Sequence, residues 1–487
     1  MILDGVRSCI GHLLHTMPKQ SSFPPQSDKT RRRWQKVSDR LLWRDLPIPL
    51  RLVGGLALLI LVGTGLLLLP GMTWQPLTPM EAFFTATSAV TVTGLSVVPT
   101  STSFTPLGQV VLLLLIQTGG VGFITLIVLA LHLLGRNIPL ADRLALTSAM
   151  RLDKPGQILV VLRKAILFMF VIEGVGAMLL YAHWKMNGIA PPGRVGFYAL
   201  FHAISAFCNA GFDLFAGLPS YPDGLPNDNL SLLILGVLVF MGGLGIPVMM
   251  ELVAFRKRKR ISLHTWLTLI TTAALILLGW LGLFLAEYVK AHGVVSGMNL
   301  SNALVQTWFQ SISTRTAGFP GLHSFSLVGP DSRLLIISLM FIGSAPASMG
   351  GGITTGAFAV LTLVVWNYAR GFRTVQVRHR TISQATVIRA VVVLLTSLAM
   401  VLIASWLILL TNRFSFNKVL FEVVSALATC GLSMGITDHL NTFGRLILVA
   451  MMFFGRAGVT TLLLALVQRE GYSRRHLIFP EEDVLVG

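Results

Sequence analysis

Four short stretches carry one chemistry-bearing pattern. Thr91, Val92, Thr93 and Gly94 close the first; Cys208, Asn209, Ala210 and Gly211 the second; Thr316, Ala317 and Gly318 the third; Thr429, Cys430 and Gly431 the fourth. Each glycine trails a phenylalanine and a serine: Phe84 and Ser88, Phe201 and Ser205, Phe309 and Ser313, Phe421 and Ser425. The spacing is F-x3-S-x5-G in three copies and one residue shorter in the third. Glycine adopts positive φ without steric cost, so successive carbonyls can face one way. Four such strands meeting on an axis would form rings of carbonyl oxygens, extended by threonine hydroxyls, that replace the water shell of a dehydrated monovalent cation. One such glycine alone would read as a hairpin turn; four at matched spacing, about 110 residues apart, favour a pore.

The elements that must position these strands follow from hydropathy. Hydrophobic residues make up 54% of the 487, charged residues 12%, and the mean hydropathy is +0.74, which identifies an integral membrane protein. Apolar runs long enough to cross about 30 Å of hydrocarbon occupy residues 47–70, 104–134, 158–184, 230–255, 261–289, 332–366, 386–410 and 443–467. The expected fold is all-α: eight transmembrane helices and four re-entrant pore loops, arranged as four pseudo-symmetric helix, pore-loop, helix repeats around a central pore. The repeats span 46–135, 136–257, 258–370 and 371–470, between a basic arm (1–45) and a tail (471–487). Each re-entrant segment starts as a helix, 84–90 in the first, and returns as extended backbone, which membrane depth tolerates only inside protein or beside water. The helices aim their negative C-terminal ends at the axis, and Glu81 and Glu422 are placed near the opposite ends of the first and fourth.

The formal charge of +18 does not signal nucleic acid. Arg136, Arg143, Arg151, Lys154, Arg163 and Lys164, the run at 256–260, and Arg370, Arg373, Arg378 and Arg380 fall on one face, as do residues 31–33 and Arg469, Arg474 and Arg475. The positive-inside rule makes that face, and both termini, cytoplasmic. No signal peptide is visible. Cys9, Cys208 and Cys430 have no metal or disulfide spacing.

The sixth apolar run is interrupted at 343–356, where Pro346 and several glycines cannot sustain a helix. A broken helix at that depth lines a cavity or packs in protein, and a loop of Ser348, Met349, Gly350, Gly351 and Gly352 below the filter could gate the pore; a simple kink is the alternative. The other second spans carry the pairs Gly119 and Gly120, and Gly242 and Gly243, which permit close helix approach. Arg456 replaces one such glycine in the fourth copy, and a cation inside a span is usually functional. Arg315 is read as a structural pin bonding carbonyls or a carboxylate such as Asp213 or Glu422. Glu173 is expected to meet an arginine on a neighbouring helix, and His202 to be a hydrogen-bonded core residue.

The filter stretches, in order with "STRTAGF" of the third copy and the eight spans, resemble the Trk/Ktr/HKT superfamily of potassium transporters over about residues 46–470. The resemblance, not the spacing, implies potassium. It also implies four copies of the simple potassium-channel unit with one glycine per filter segment. The chain looks most like a Ktr-type membrane subunit, since it has a polar arm in place of an extra N-terminal pair of spans. That implies a homodimer in the plasma membrane on a cytosolic ring of RCK-type regulatory subunits, which bind the nucleotide, with no cofactor in this chain and Na+ as an activator. Glycine at position 94, where many sodium-preferring plant members have serine, favours potassium. The counterpart of Arg456 faces the pore beside the intramembrane loop. Ala347 and Thr354 depart from the family's commoner glycine and lysine in that loop.

The reading is a gated, channel-like potassium uptake pore. A carrier coupled to sodium or protons needs intramembrane carboxylates, of which only Glu173 is deeply placed; a sodium-permeable member of the same family is a further alternative. An enzyme would need a nucleophile with its base or a metal cluster, and neither H-E-x-x-H nor G-x-S-x-G occurs.

Overall fold

The computed structural model describes residues 48–122, 158–218, 220–221, 224–258, 261–290, 292–322 and 325–458. The expectations for the basic arm, the tail, Cys9, the 123–157 connection, positions 259–260 of the basic run, and Arg469, Arg474 and Arg475 lie outside them.

A helix, a short helix and a second helix recur four times in the described chain. Unit one has Ile48–Leu67, Pro79–Thr91 and Pro106–Val121; unit two Ile158–Asn187, Val195–Phe207 and Asn229–Gly243; unit three Leu263–Phe284, Leu300–Ser313 and Pro330–Phe341; unit four Gln384–Thr411, Phe416–Leu427 and Thr442–Ala457. Local chemistry sets the starts. Thr78 and Glu81 form a reciprocal capping box ahead of Pro79, Thr105 caps the helix that opens with Pro106, and Asp228 and Asn441 cap the second helices of units two and four.

Three described helices, Leu162–Asn187, Leu263–Val289 and Gln384–Thr411, are long and apolar enough to cross a membrane, or four if the bent pair Asn229–Gly243 and Ile246–Phe255 counts as one. Their outer faces expose Met178, Leu281, Leu402 and Trp406, as a hydrocarbon solvent allows. The second helices depart from the continuous runs of the sequence. They stop at Val121, Gly243, Phe341 and Ala457, and Gly122, Gly245 and Gly458 beyond three of them hold φ of +86°, +82° and +80°. That conformation ends an α-helix. In unit two the chain resumes as Ile246–Arg258 after a bend of 100°; in unit three it resumes as Thr355–Ala369. A two-residue antiparallel hairpin, Gln376–Val377 with Arg380–Thr381, follows.

The units close on one another. Each second helix packs on the short helix of the next unit, and that of unit four packs on the short helix of unit one. Phe84, Phe201, Phe309 and Phe421, the motif phenylalanines, are fully buried on the short helices.

Candidate functional site

The motif serines fold the ends of the short helices. In units one, two and four the residue before the glycine donates its N–H to the serine carbonyl: Thr93 to Ser88 (2.8 Å), Ala210 to Ser205 (2.7 Å) and Cys430 to Ser425 (2.8 Å). The preceding residue donates to the next carbonyl along: Val92 to Ala89, Asn209 to Ala206, Thr429 to Ala426. This double closure is a Schellman cap, which demands a left-handed residue, here Val92, Asn209 and Thr429 at φ of 57°, 58° and 49°. Unit three, one residue shorter, has Ala317 donating to Ser313 (2.8 Å) and Thr316 at φ 86°. The serine hydroxyls finish the turn. Those of Ser88 and Ser425 accept from the N–H of Gly94 and Gly431 (3.0 Å each), while those of Ser205 and Ser313 donate to the carbonyls of Phe212 (2.8 Å) and Phe319 (2.6 Å).

The four strands form a closed ring. A Cβ built on Gly94 would run into the Ala210 carbonyl oxygen; one on Gly211 would stand 2.7 Å from that of Ala317; one on Gly318 would strike that of Cys430, and one on Gly431 that of Thr93. Every glycine therefore lies against the preceding-residue carbonyl of the next unit, and the fourth against the first. Both the contact and the positive φ (+89°, +67°, +75° and +94° in chain order) demand glycine. Left-handed residues alternating with ordinary ones let successive carbonyls face one side. The C-terminal ends of all four short helices converge here, adding partial negative charge.

The structure brings Val92 to Gly94, Asn209 to Gly211, Thr316 to Gly318 and Thr429 to Gly431 together, whereas Thr91 ends the helix Pro79–Thr91 with its hydroxyl on the Thr87 carbonyl (2.7 Å) and Cys208 caps Val195–Phe207. Not every side chain faces the ring. Thr91 and Thr93 pair their hydroxyls at 2.7 Å, and Cys430 turns its thiol to the Thr314 carbonyl (3.3 Å). Cys208 points away, its thiol donating to Gln117 Oε1 (3.6 Å).

The loop at 342–354 packs against the same strands. Gly351 N–H donates to Thr429 Oγ1 (2.8 Å), and a Cβ on Gly350 would collide with the Thr316 hydroxyl. Met349 N–H reaches the Gly242 carbonyl (3.5 Å), Ala345 N–H that of Gly243 (3.1 Å), and Ile246 N–H that of Ala347 (3.2 Å), so the broken second helices of units two and three satisfy each other's backbone. The Ser344 and Ser348 hydroxyls are paired, and Gly352 sits at φ +76°. Arg456 donates from Nη1 to the Met349 carbonyl and from Nη2 to the carbonyls of Gly119 and Gly120. It joins the loop to units one and four.

Several expected partners differ. Among the described residues Glu173 meets no arginine; Gln117 Nε2 donates to both carboxylate oxygens (3.2 and 3.0 Å), a neutral partner that spares the membrane interior a second charge. Glu422 is not at a helix start but seven residues in, where it accepts from Ser433 Oγ (2.6 Å), Met434 N–H (2.9 Å) and Thr437 Oγ1 (2.8 Å) and fixes the return path. Arg315 does bond a carbonyl, that of Gly343 (3.2 Å), and adds Thr355 Oγ1 (2.8 Å); the carboxylates of Asp213 and Glu422 are not its partners. Asp213 is taken by His202 Nε2 (2.9 Å), whose Nδ1 lies 2.7 Å from the Tyr198 carbonyl. His202 is a core residue. Sequence reasoning missed Thr355 and Gln117, and the fixed serine spacing was noticed without its role in the turn.

The chain matches the family model "TrkH: Cation transport protein" over residues 61–471. It is 36% identical over 446 residues to the Ktr system potassium uptake protein B of Bacillus subtilis, covering 91% of this chain and 98% of that one. Identity to the protein of the same name from Vibrio alginolyticus is 34%, over 87% of this chain and 91% of that one, and to the potassium/sodium uptake protein NtpJ of Enterococcus hirae 30%, over 93% and 99%. The potassium transporter TrkH from Vibrio parahaemolyticus superposes with a TM-score of 0.65 at 19% identity, over 86% of this chain and 84% of that structure, a likeness of fold. These relatives are transport proteins, not enzymes.

Proposed function

Because the chain belongs to the TrkH family of cation transport proteins, we propose that its glycine ring is the selectivity filter of a gated potassium uptake pore and that the chain is the membrane subunit of a Ktr-type system. The observation that carries this reading is the closure of the ring: four strands, one from each unit, each set against the next unit's carbonyl. Backbone oxygens in that arrangement can replace the hydration shell of K+, and the converging helix ends favour a cation. The filter is formed by Thr91 to Gly94, Cys208 to Gly211, Thr316 to Gly318 and Thr429 to Gly431. The loop of Ser348, Met349, Gly350, Gly351 and Gly352, held by Arg456, is the gate.

On this reading the four units are membrane repeats with eight spans, four of them second helices broken at the gate, and with the basic connections and both termini on the cytoplasmic side of the plasma membrane. The subunit works as a homodimer on a cytosolic nucleotide-binding ring, consistent with relatives named as parts of a Ktr system. Na+ is a second ligand to consider, as activator or as permeant ion, because one relative is named a potassium/sodium uptake protein. Obligatory coupling is disfavoured, since the buried acids Glu173, Asp213 and Glu422 are each engaged by neighbouring donors. Rubidium and sodium tracer flux into liposomes holding the purified protein tests the function. Rb+ entry that exceeds Na+ entry and follows an imposed potential is expected; equal entry of both, or none, sinks it.

A further inference from the structure

Besides Arg456, which ties the loop to units one and four, a second cation holds the loop. Arg315 stands three residues before Gly318, where the other units carry Thr91, Cys208 and Ala428. Its Nη2 donates to Thr355 Oγ1 (2.8 Å) and to the Gly343 carbonyl (3.2 Å), and the Thr355 hydroxyl in turn donates to that carbonyl (3.1 Å). Gly343 and Thr355 are the two ends of the loop, which Ile342 and Ile353 also bridge. One guanidinium therefore clasps both ends of the loop while its own backbone immediately precedes the ring strand Thr316 to Gly318.

We propose that Arg315 is a positioning residue that makes the loop and the unit-three strand move together, so that a cation in the ring biases release of the loop. This rests on the pore reading above. Three observations support it. Arg315 is 6% exposed, its Nε has no partner, and no carboxylate pairs with it among the described residues. A buried cation held only by neutral acceptors is costly as a mere spacer, and its position responds to any further positive charge arriving nearby. The strand that follows it is also the one that departs from the other three: the N–H groups of Ala317 and Gly318 both close on the Ser313 carbonyl (2.8 and 3.2 Å), in place of the paired closure of the other units, and Thr316 sits at φ 86° where its counterparts sit at 49° to 58°. Finally, Gly350 abuts the Thr316 hydroxyl, so strand and loop touch at the tip as well as at the base.

Linkage then requires reciprocity: whatever factor loop release applies to ion binding in the ring, ion binding applies to loop release. Thr355 is the discriminating position, because it touches Arg315 and the loop but no ring carbonyl. Full-length Arg315→Lys, Arg315→Gln, Thr355→Val and the Arg315→Gln/Thr355→Val pair are compared in liposomes for basal flux and for the Rb+ to Na+ entry ratio. Thr355→Val is expected to raise basal flux and lower the ratio together, each by about fivefold or more; Arg315→Lys is expected to be intermediate, and the pair no worse than Arg315→Gln alone. A Thr355→Val protein whose entry ratio matches wild type, or paired effects that multiply, overturns the proposal even if Arg315→Gln fails to fold. A wild-type protein that carries no Rb+ overturns the pore reading and this proposal with it.

Discussion

Val92, Thr316 and Thr429 are β-branched residues held at positive φ, a conformation that costs about 1–3 kcal/mol at each. The strain persists because hydrogen bonds on both sides determine the turn: the serine carbonyl on one, and in units one and four the serine hydroxyl on the other. Ser425→Ala leaves the Gly431 N–H without its acceptor, and thermal unfolding in detergent is expected to show a loss of about 1–3 kcal/mol; an unchanged melting temperature would show that the hydroxyl is dispensable. Gly94→Ser tests the contact itself. Its Cβ would push against the Ala210 carbonyl of the ring, so the Rb+ to Na+ entry ratio is expected to fall by about tenfold, equivalent to about 1.4 kcal/mol. Gly435, also at positive φ but with open space around it, separates strain from contact: Gly435→Ala should cost stability and leave the ratio alone. The ring residues were legible because four copies share a spacing. The partners of Glu173 and Glu422, and the Thr355 hydroxyl that Arg315 meets, were not, because a contact between side chains far apart in sequence leaves no periodic trace.

At the level of elements, all four second helices end at the ring, yet the sequence betrays only one of the breaks. In unit three Pro346 and Gly350 to Gly352 make a helix impossible; elsewhere a lone glycine in an apolar run looks like a packing residue. Gly119, Gly242 and Gly455 are indeed packing residues, each facing the carbonyl of Val90, Phe207 or Leu427 near the end of its own short helix. It is Gly122, Gly245 and Gly458, at positive φ, that stop the helices. The loop of unit three fills the space these breaks leave, bonded to units two and four and, through Arg456, to unit one. Deleting Gly350 to Gly352 removes the contacts with Thr316 and Thr429, and tracer flux is expected to become constitutive. A deletion protein with lower flux and intact regulation would show that the loop supports the pore and does not close it.

For the whole molecule, the ring ties the chain's first and last units: Gly431 rests on the Thr93 carbonyl, and the second helix of unit four packs on the short helix of unit one. On the filter reading, a cation at the centre would touch all four units at once, at a site that the unfolded chain does not have. Binding must then stabilise the fold by mass action, by about 2.7 kcal/mol when the ion is present at a hundred times its dissociation constant. Melting in detergent is accordingly expected at higher temperature in KCl than in NaCl of equal ionic strength, with the gap rising with KCl concentration. Matching ionic strength removes the screening of surface charge as a cause. Gly94→Ser should close the gap by lowering the KCl value, because it disturbs one quarter of a shared site; a gap that survives that substitution would place the stabilising ion elsewhere in the protein.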